Sequence, residues 1–291
     1  MIYVIVGPTC SHKTKTAVAL AEKLDAPIIS GDAFQIYKDM DIGTSKIRKN
    51  EPGYERHYLL DIITPDKSFS VMEYQKIGRK CLDELLKNNK DVIIVGGTGL
   101  YIRALLYDYE FIEEERPDNP ELEKLTNHEL HLLLESLDKE EVLKIHENNR
   151  KRMIRAITLM QNSNLVKSEH LSKQNHDYIY DDVKMLFINP NRDTLYKEIN
   201  ERVVQMMKEG LVEEVKNLLN KYDLSLTARQ GIGYKEVISY LNDEISYDEC
   251  VELIQKRTRN YAKRQVTFFK HQFKNINIYL SGEELLYNIW K

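Results

Sequence analysis

Short apolar runs stand at residues 2–6 (IYVIV), 27–30 (PIIS), 92–95 (VIIV) and 185–188 (MLFI), and each gives way to Gly, Asp or Asn. Runs this short with apolar residues at successive positions predict strands covered on both faces, as in a parallel sheet. Between them the period changes. Residues 15–24 place Ala17, Leu20, Ala21 and Leu24 on one helical face. Residues 70–89 predict an amphipathic helix, with Ser70 as N-cap and Glu73 at capping-box spacing. Strands alternating with helices predict an α/β fold: a parallel sheet flanked by helices.

After about residue 107 the pattern turns helical, charged and poor in glycine. Leu125, Leu130, Leu133, Leu134 and Leu137 predict one helix or two, and residues 151–162 another with Met153, Ile154, Ile157 and Met160 inward. Residues 163–182 are polar and loop-like. The expected organisation is a catalytic core of residues 1–112 and 183–291 interrupted by a helical insertion, 113–182. Beyond the 185–188 strand, residues 194–220 predict a helical pair broken at Gly210. Gly231 and Gly233 mark a loop, and helices are expected at about 234–241 and 246–271.

Composition narrows the class. The chain has 291 residues, 42% hydrophobic and 30% charged, which fits a globular protein of one or two domains. No apolar stretch approaches the ~20 residues of a membrane span, and the N-terminal apolar run lacks a basic leader. Three scattered cysteines with no CxxC spacing argue against a zinc site or a disulfide framework. A cytoplasmic, membrane-free protein is expected.

The first strand runs into Gly7-Pro8-Thr9-Cys10-Ser11-His12-Lys13-Thr14. This is the G-x-x-x-x-G-K-[ST] phosphate loop with His12 at the second glycine. Strand, loop and helix N-terminus together aim backbone N–H groups at an anion. Lys13 would hold terminal phosphate oxygens, and the Thr14 hydroxyl would ligate Mg²⁺. His12 carries a Cβ where glycine lets backbone approach a phosphate; its ring either crowds the site or donates to a bound phosphate group. Asp32 and Thr98 also follow strand ends, where ligands gather in such sheets. At each of these positions a plainer role competes: a turn cap for Asp32, a satisfied hydroxyl for Thr98.

A net charge of −4 would disfavour nucleic acid if it were evenly spread, and it is not. Residues 255–274 hold seven Lys or Arg and no acid, and Arg150-Lys151-Arg152 with Arg155 form a second basic cluster. Such faces can neutralise a phosphate backbone, or they are simply solvated helix faces.

Taken together, GPTCSHKT (7–14), SGDAFQIYKDMDIGTSK (30–46), VGGTGLYIRALL (95–106), NNRKRMIRA (148–156), INERVVQMMKEGLVEEV (199–215), GIGYKE (231–236) and TRNYAKRQVTFF (258–269) resemble the tRNA dimethylallyltransferases, or tRNA isopentenyltransferases. The resemblance runs from Ile5 to about Phe273. It is weakest in 108–147 and 163–183.

It implies a P-loop NTPase-like core with a helical insertion that grips the tRNA anticodon stem. The implied reaction moves a dimethylallyl group from its diphosphate to N6 of adenosine 37, in tRNAs reading UNN codons. The diphosphate site would be residues 7–14, with Mg²⁺ as cofactor. Asp32 matches the family's catalytic aspartate, and Lys13 and Arg202 would stabilise the leaving diphosphate. Asp32, Ala33, Phe34 and Gln35 match a stretch that meets the tRNA, as do Thr98 and the segment Lys151, Arg152, Met153, Ile154, Arg155. Ala33 stands where serine is usual. Tyr261, Phe268 and Phe269 are expected in the core rather than against bases. A monomer is expected. Two other readings stay open on the sequence: a tRNA-binding relative whose diphosphate site His12 has closed, and a phosphoryl-transferring P-loop kinase.

Overall fold

The computed structural model describes residues 1–88, 91–109, 111, 119–163 and 177–291. They divide into two compact units, Met1–Leu106 with Tyr180–Lys291, and Tyr107–Ile179.

The larger unit is built on six parallel strands in the order β3-β2-β4-β1-β5-β6. These are β1 (Ile2–Val6), β2 (Ile28–Ser30), β3 (His57–Tyr58), β4 (Val92–Gly96), β5 (Val183–Ile188) and β6 (Asn277–Tyr279). β1 and β4 are buried along their whole length, which is why their sequences are apolar at every position rather than alternating. On one face, Ile5, Ile28, Ile93 and Leu186 pack with Ala17, Leu20 and Ala21 of α1 (Lys13–Leu24) and Leu285 of α13 (Gly282–Trp290). On the other lie α2 (Val71–Asn88), α3 (Gly99–Leu106) and α12 (Tyr247–Gln272). There Phe187 of β5 meets Phe269 of α12 with ring centroids 5.6 Å apart.

The helix signals read from the sequence correspond to real caps. Ser70 N–H donates to Glu73 at 2.7 Å while Glu73 N–H donates back to the Ser70 hydroxyl at 3.2 Å. Gly210 (φ 101°) separates α8 (Arg192–Lys208) from α9 (Leu211–Lys221), because only glycine takes that backbone without strain. Short α10 (Leu226–Arg229) and α11 (Tyr234–Leu241) complete a second core with Ile36, Tyr37, Met40, Val203 and Val215.

The smaller unit holds α4 (Pro120–Lys124), α5 (Asn127–Leu137), α6 (Lys139–Lys144) and α7 (Arg150–Ser163). Leu130, Leu134, Met153, Ala156 and Ile157 form its core. It begins at Tyr107 rather than at 113, because an antiparallel bridge joins Tyr107 to Tyr178, and Asp108 N–H donates to the Asp177 carbonyl at 3.0 Å. Most of the polar stretch expected as loop, residues 164–176, lies outside the described residues. Among the described residues no helix is long and apolar enough to cross a membrane.

Candidate active site

The carboxyl ends of β1, β2 and β4 meet where the chain must run close to itself. A Cβ on Gly7 would overlap the Ser11 hydroxyl and stand 2.8 Å from the Ile188 carbonyl, so the loop leaves β1 only through glycine. Cys10 and His12 take left-handed φ of 62° and 56°, curling the loop so that α1 starts at Lys13. α1 has no acid in its first turn, which leaves its positive N-terminal end uncompensated.

Gln265 of α12 braces this loop from the far side of the sheet. Its Oε1 accepts from Thr9 N–H at 2.9 Å, and its Nε2 donates to the Gly97 carbonyl at 2.8 Å. Lys13 Nζ donates to the Pro8 carbonyl at 3.2 Å. Burial lowers the Lys13 pKa, and the nearby Asp32 carboxylate and Cys10 oppose that shift.

His12 does not fill the cradle. Its side chain is 67% exposed, with Nε2 3.0 Å from Glu198 Oε2 on α8. The left-handed backbone that glycine would normally supply is here adopted by histidine, with its exposed ring beside Glu198 at the cavity wall.

After β2 the chain turns on Asp32, whose Oδ1 accepts from Phe34 N–H at 2.9 Å and Gln35 N–H at 3.4 Å. This is the plain capping role expected of an Asp at a strand end. Both bonds fall on one oxygen, and Asp32 also lines the central cavity. Thr98 secures the same turn by accepting from Ala33 N–H at 3.0 Å. The Gln35 side chain is tied at both ends, accepting from the Ser30 hydroxyl at 3.2 Å and donating to the Thr44 carbonyl at 3.3 Å.

The cavity has a volume of about 640 Å³ and lies wholly within the larger unit. That is the size range of small-molecule sites. Its walls are the phosphate loop at Thr9, Cys10 and His12–Lys15, the turn at Asp32, Phe34 and Gln35, residues 43–45, α8 at Glu198 and Arg202, the loop 230–232, and α12 at Thr258, Tyr261 and Arg264. Gly7, Pro8 and Ser11 are buried and shape the loop without lining the cavity. Arg202 Nε donates to Ser45 Oγ at 3.2 Å and Nη1 to Glu209 Oε1 at 3.1 Å, so it lines the cavity while already ion-paired.

Two expectations need correction. Tyr261 is not simply core. It lines the cavity, and burial, with a further push from the Asp32 charge, raises its hydroxyl pKa far above the ordinary tyrosine value. Met153, expected to meet tRNA, is fully buried in the core of the smaller unit, and its side chain offers no surface. Lys151, Arg152 and Arg155 on the same helix are exposed. Arg150 is occupied, donating to the Leu122, Glu123 and Leu125 carbonyls at the end of α4.

Gln265, Glu198 and Ser45 were not picked out from the sequence as site residues. A signal existed for the first: Tyr261 and Gln265 are polar groups at i, i+4 on a stripe that also carries Phe268 and Phe269.

Among the described residues no cluster of three or more His, Cys, Asp or Glu could hold a metal by itself. The Thr14 hydroxyl and the Asp32 carboxylate do share the cavity wall. Sparse oxygen donors of this kind suit Mg²⁺, which keeps several waters and takes its remaining ligands from phosphate.

The chain as a whole is similar to known proteins. The sequence matches the IPP transferase family over residues 35–272. It is 42% identical over 281 residues to a tRNA dimethylallyltransferase of Exiguobacterium sp., covering 94% of this chain and 89% of that one. It is 43% identical over 277 residues to a tRNA dimethylallyltransferase of Bacillus licheniformis, covering 93% and 88%. The crystal structure of a tRNA isopentenylpyrophosphate transferase from Staphylococcus epidermidis superposes with TM-score 0.71 at 38% identity, covering 99% of this chain and 97% of that one. A eukaryotic dimethylallyltransferase acting on tRNA shares the fold at TM-score 0.80 and 24% identity, over 95% of this chain and 73% of that one. With a phosphate loop, a strand-end aspartate and an arginine around one cavity, and with relatives matched over nearly its whole length, this chain belongs to the IPP transferase family.

Proposed function

We propose that this protein transfers a dimethylallyl group from dimethylallyl diphosphate to N6 of adenosine 37 in tRNAs that read UNN codons, releasing diphosphate. The observation that carries this reading is the convergence of the phosphate loop, Asp32 and Arg202 on one cavity. The names carried by relatives at 42% and 43% identity favour the same reaction.

In the reaction the bond between the allylic carbon and the diphosphate oxygen breaks, and a bond from that carbon to N6 forms. Negative charge grows on the leaving group. Fixed N–H groups at the start of α1, Lys13 and Arg202 are preorganised to take that charge. Their resting partners set their poise: Lys13 donates to a backbone carbonyl and Arg202 is ion-paired with Glu209 until an anion competes for them. The N6 proton passes to the Asp32 carboxylate, which the turn at Phe34 and Gln35 holds at the cavity wall. The Thr14 hydroxyl would hold Mg²⁺, which would add positive charge at the diphosphate oxygens. An anticodon-loop base reaches such a site by leaving its stack, a step that single-stranded loops make cheap. Exposed Lys151, Arg152 and Arg155 would hold the tRNA backbone through phosphate contacts.

The test is incubation with radiolabelled dimethylallyl diphosphate, Mg²⁺ and unmodified tRNA, followed by nucleoside analysis. Label in N6-dimethylallyladenosine at position 37 is expected. No label in RNA, or phosphoryl transfer from ATP without use of the isoprenoid, would defeat the reading.

A closed diphosphate site would require His12 in the cradle, whereas its ring bonds to Glu198. His12→Gly is accordingly expected to bind dimethylallyl diphosphate within about threefold of the parent, a change of less than one hydrogen bond. Calorimetric titration checks this, and a gain well beyond tenfold would mean that the ring obstructs the anion after all.

A further inference from the structure

Residues 41–46 (Asp-Ile-Gly-Thr-Ser-Lys) form a turn with little regular structure to stiffen it, and its Gly43, Thr44 and Ser45 line the cavity. They are held by one carboxylate from far along the chain. Glu214 Oε2 accepts from Asp41 N–H at 3.0 Å and Ile42 N–H at 2.7 Å, and Oε1 accepts from Gly43 N–H at 3.1 Å and the Tyr234 hydroxyl at 2.7 Å. Three successive N–H groups converging on a carboxylate form an anion nest, with charge-assisted bonds stronger than neutral ones. Glu214 sits in the first turn of α9, where the helix dipole favours its charge.

The fit is close. A Cβ on Gly43 would overlap the Tyr234 ring, so the loop lies directly on that side chain. Burial and the Glu214 charge both raise the Tyr234 pKa, which keeps the hydroxyl a donor. Buried Lys46 fixes the far end of the loop, donating to Asp41 at 2.7 Å, Asp61 at 2.6 Å and the Tyr37 carbonyl at 2.7 Å.

What the loop presents to the cavity is the point of this construction. Ser45, in a left-handed turn at φ 51°, accepts from Arg202, and the Thr44 carbonyl accepts from Gln35. We infer that Glu214 is a positioning residue for the reaction: by gathering the amides of 41–43 it sets where Ser45 holds the Arg202 guanidinium. The inference rests on the reading that Arg202 serves the diphosphate, and it adds a residue that touches no substrate.

Glu214→Gln puts an amide donor against backbone donors and releases the loop. Its KM for dimethylallyl diphosphate is expected to rise about tenfold, and its affinity for inorganic pyrophosphate to weaken about tenfold by calorimetry, the size of one charged hydrogen bond. Amide exchange at 41–43 should speed up. Ser45→Ala removes the last link without touching the nest. It should reproduce the rise in KM with an unchanged melting temperature, and the double variant should be no worse than Glu214→Gln alone. A Glu214→Gln protein that loses melting temperature or active fraction but keeps the parental KM and pyrophosphate affinity would overturn the inference. So would effects of the two variants that multiply. A parent that transfers nothing defeats the proposed reaction instead, and the pyrophosphate titrations then still decide the role of Glu214.

Discussion

Asp32→Asn is expected to lower dimethylallyl transfer at least ~100-fold while leaving the melting temperature within about 2 °C of the parent. Asp32 does two jobs that a truncation would confuse. Its Oδ1 organises the turn by accepting from Phe34 and Gln35 N–H. Its charge reaches the cavity, where it influences Lys13 and Tyr261. Asparagine keeps an Oδ1 acceptor and hence the turn, but it cannot take a proton from N6. Asp32→Ala loses the turn as well, so it should match the Asn variant in rate and fall below it in stability by about 1 kcal/mol. Single-turnover transfer with saturating tRNA, read beside thermal melts, separates the two roles. Wild-type rates in the Asn variant would remove the carboxylate from the chemistry and leave Asp32 as a turn residue only.

Much of the fold was legible because its cause is local. The apolar runs at 2–6, 92–95 and 185–188 are strands β1, β4 and β5, and Ser70 with Glu73, or glycine at 210, acts within one turn of chain. What stayed hidden depends on distant partners. β3 has two residues, and the three of β6 are mostly exposed, so neither carries the buried apolar run that marked β2, and each pairs along the edge of one neighbouring strand. Helix α13, with Leu285 buried on α1 and the sheet, was likewise not anticipated.

The site divides in the same way. The phosphate loop could be read from eight consecutive residues, because its backbone geometry is encoded in place. Arg202 was pointed to only by resemblance, since an arginine on a charged helix carries no mark of what it faces. Gln265 and Glu214 act on backbone 256 and about 172 residues away, a relation no spacing rule captures. His12 shows the reverse limit: the sequence flagged the missing glycine, but the placing of the ring depends on Glu198, which α8 brings within reach.

Gly96→Ala should be the most damaging of the small substitutions, with a stability loss of about 3 kcal/mol or more, at the upper end for overpacking. A Cβ built there would overlap the carbonyl of Gly31 and stand 2.7 Å from its Cα. These are backbone atoms, so no rotamer change relieves the clash, and β2 and β4 must move apart. Their separation would break the bond from Gly31 N–H to the Val95 carbonyl at 2.7 Å and the one from Thr98 N–H to the Gly31 carbonyl at 3.3 Å. Thr98 anchors Ala33, so the Asp32 turn would shift as well, and transfer should fall even in the fraction that stays folded. Gly78→Ala is the matched control. There the added Cβ meets the tip of Leu105 at 3.2 Å, a side chain that can yield, and the site lies within α2, where alanine favours helix by about 1 kcal/mol over glycine. Urea unfolding should therefore give a large loss for position 96 and a change near zero, or a small gain, for position 78. Similar losses at both would mean that β2–β4 approach is not what demands glycine next to the Asp32 turn.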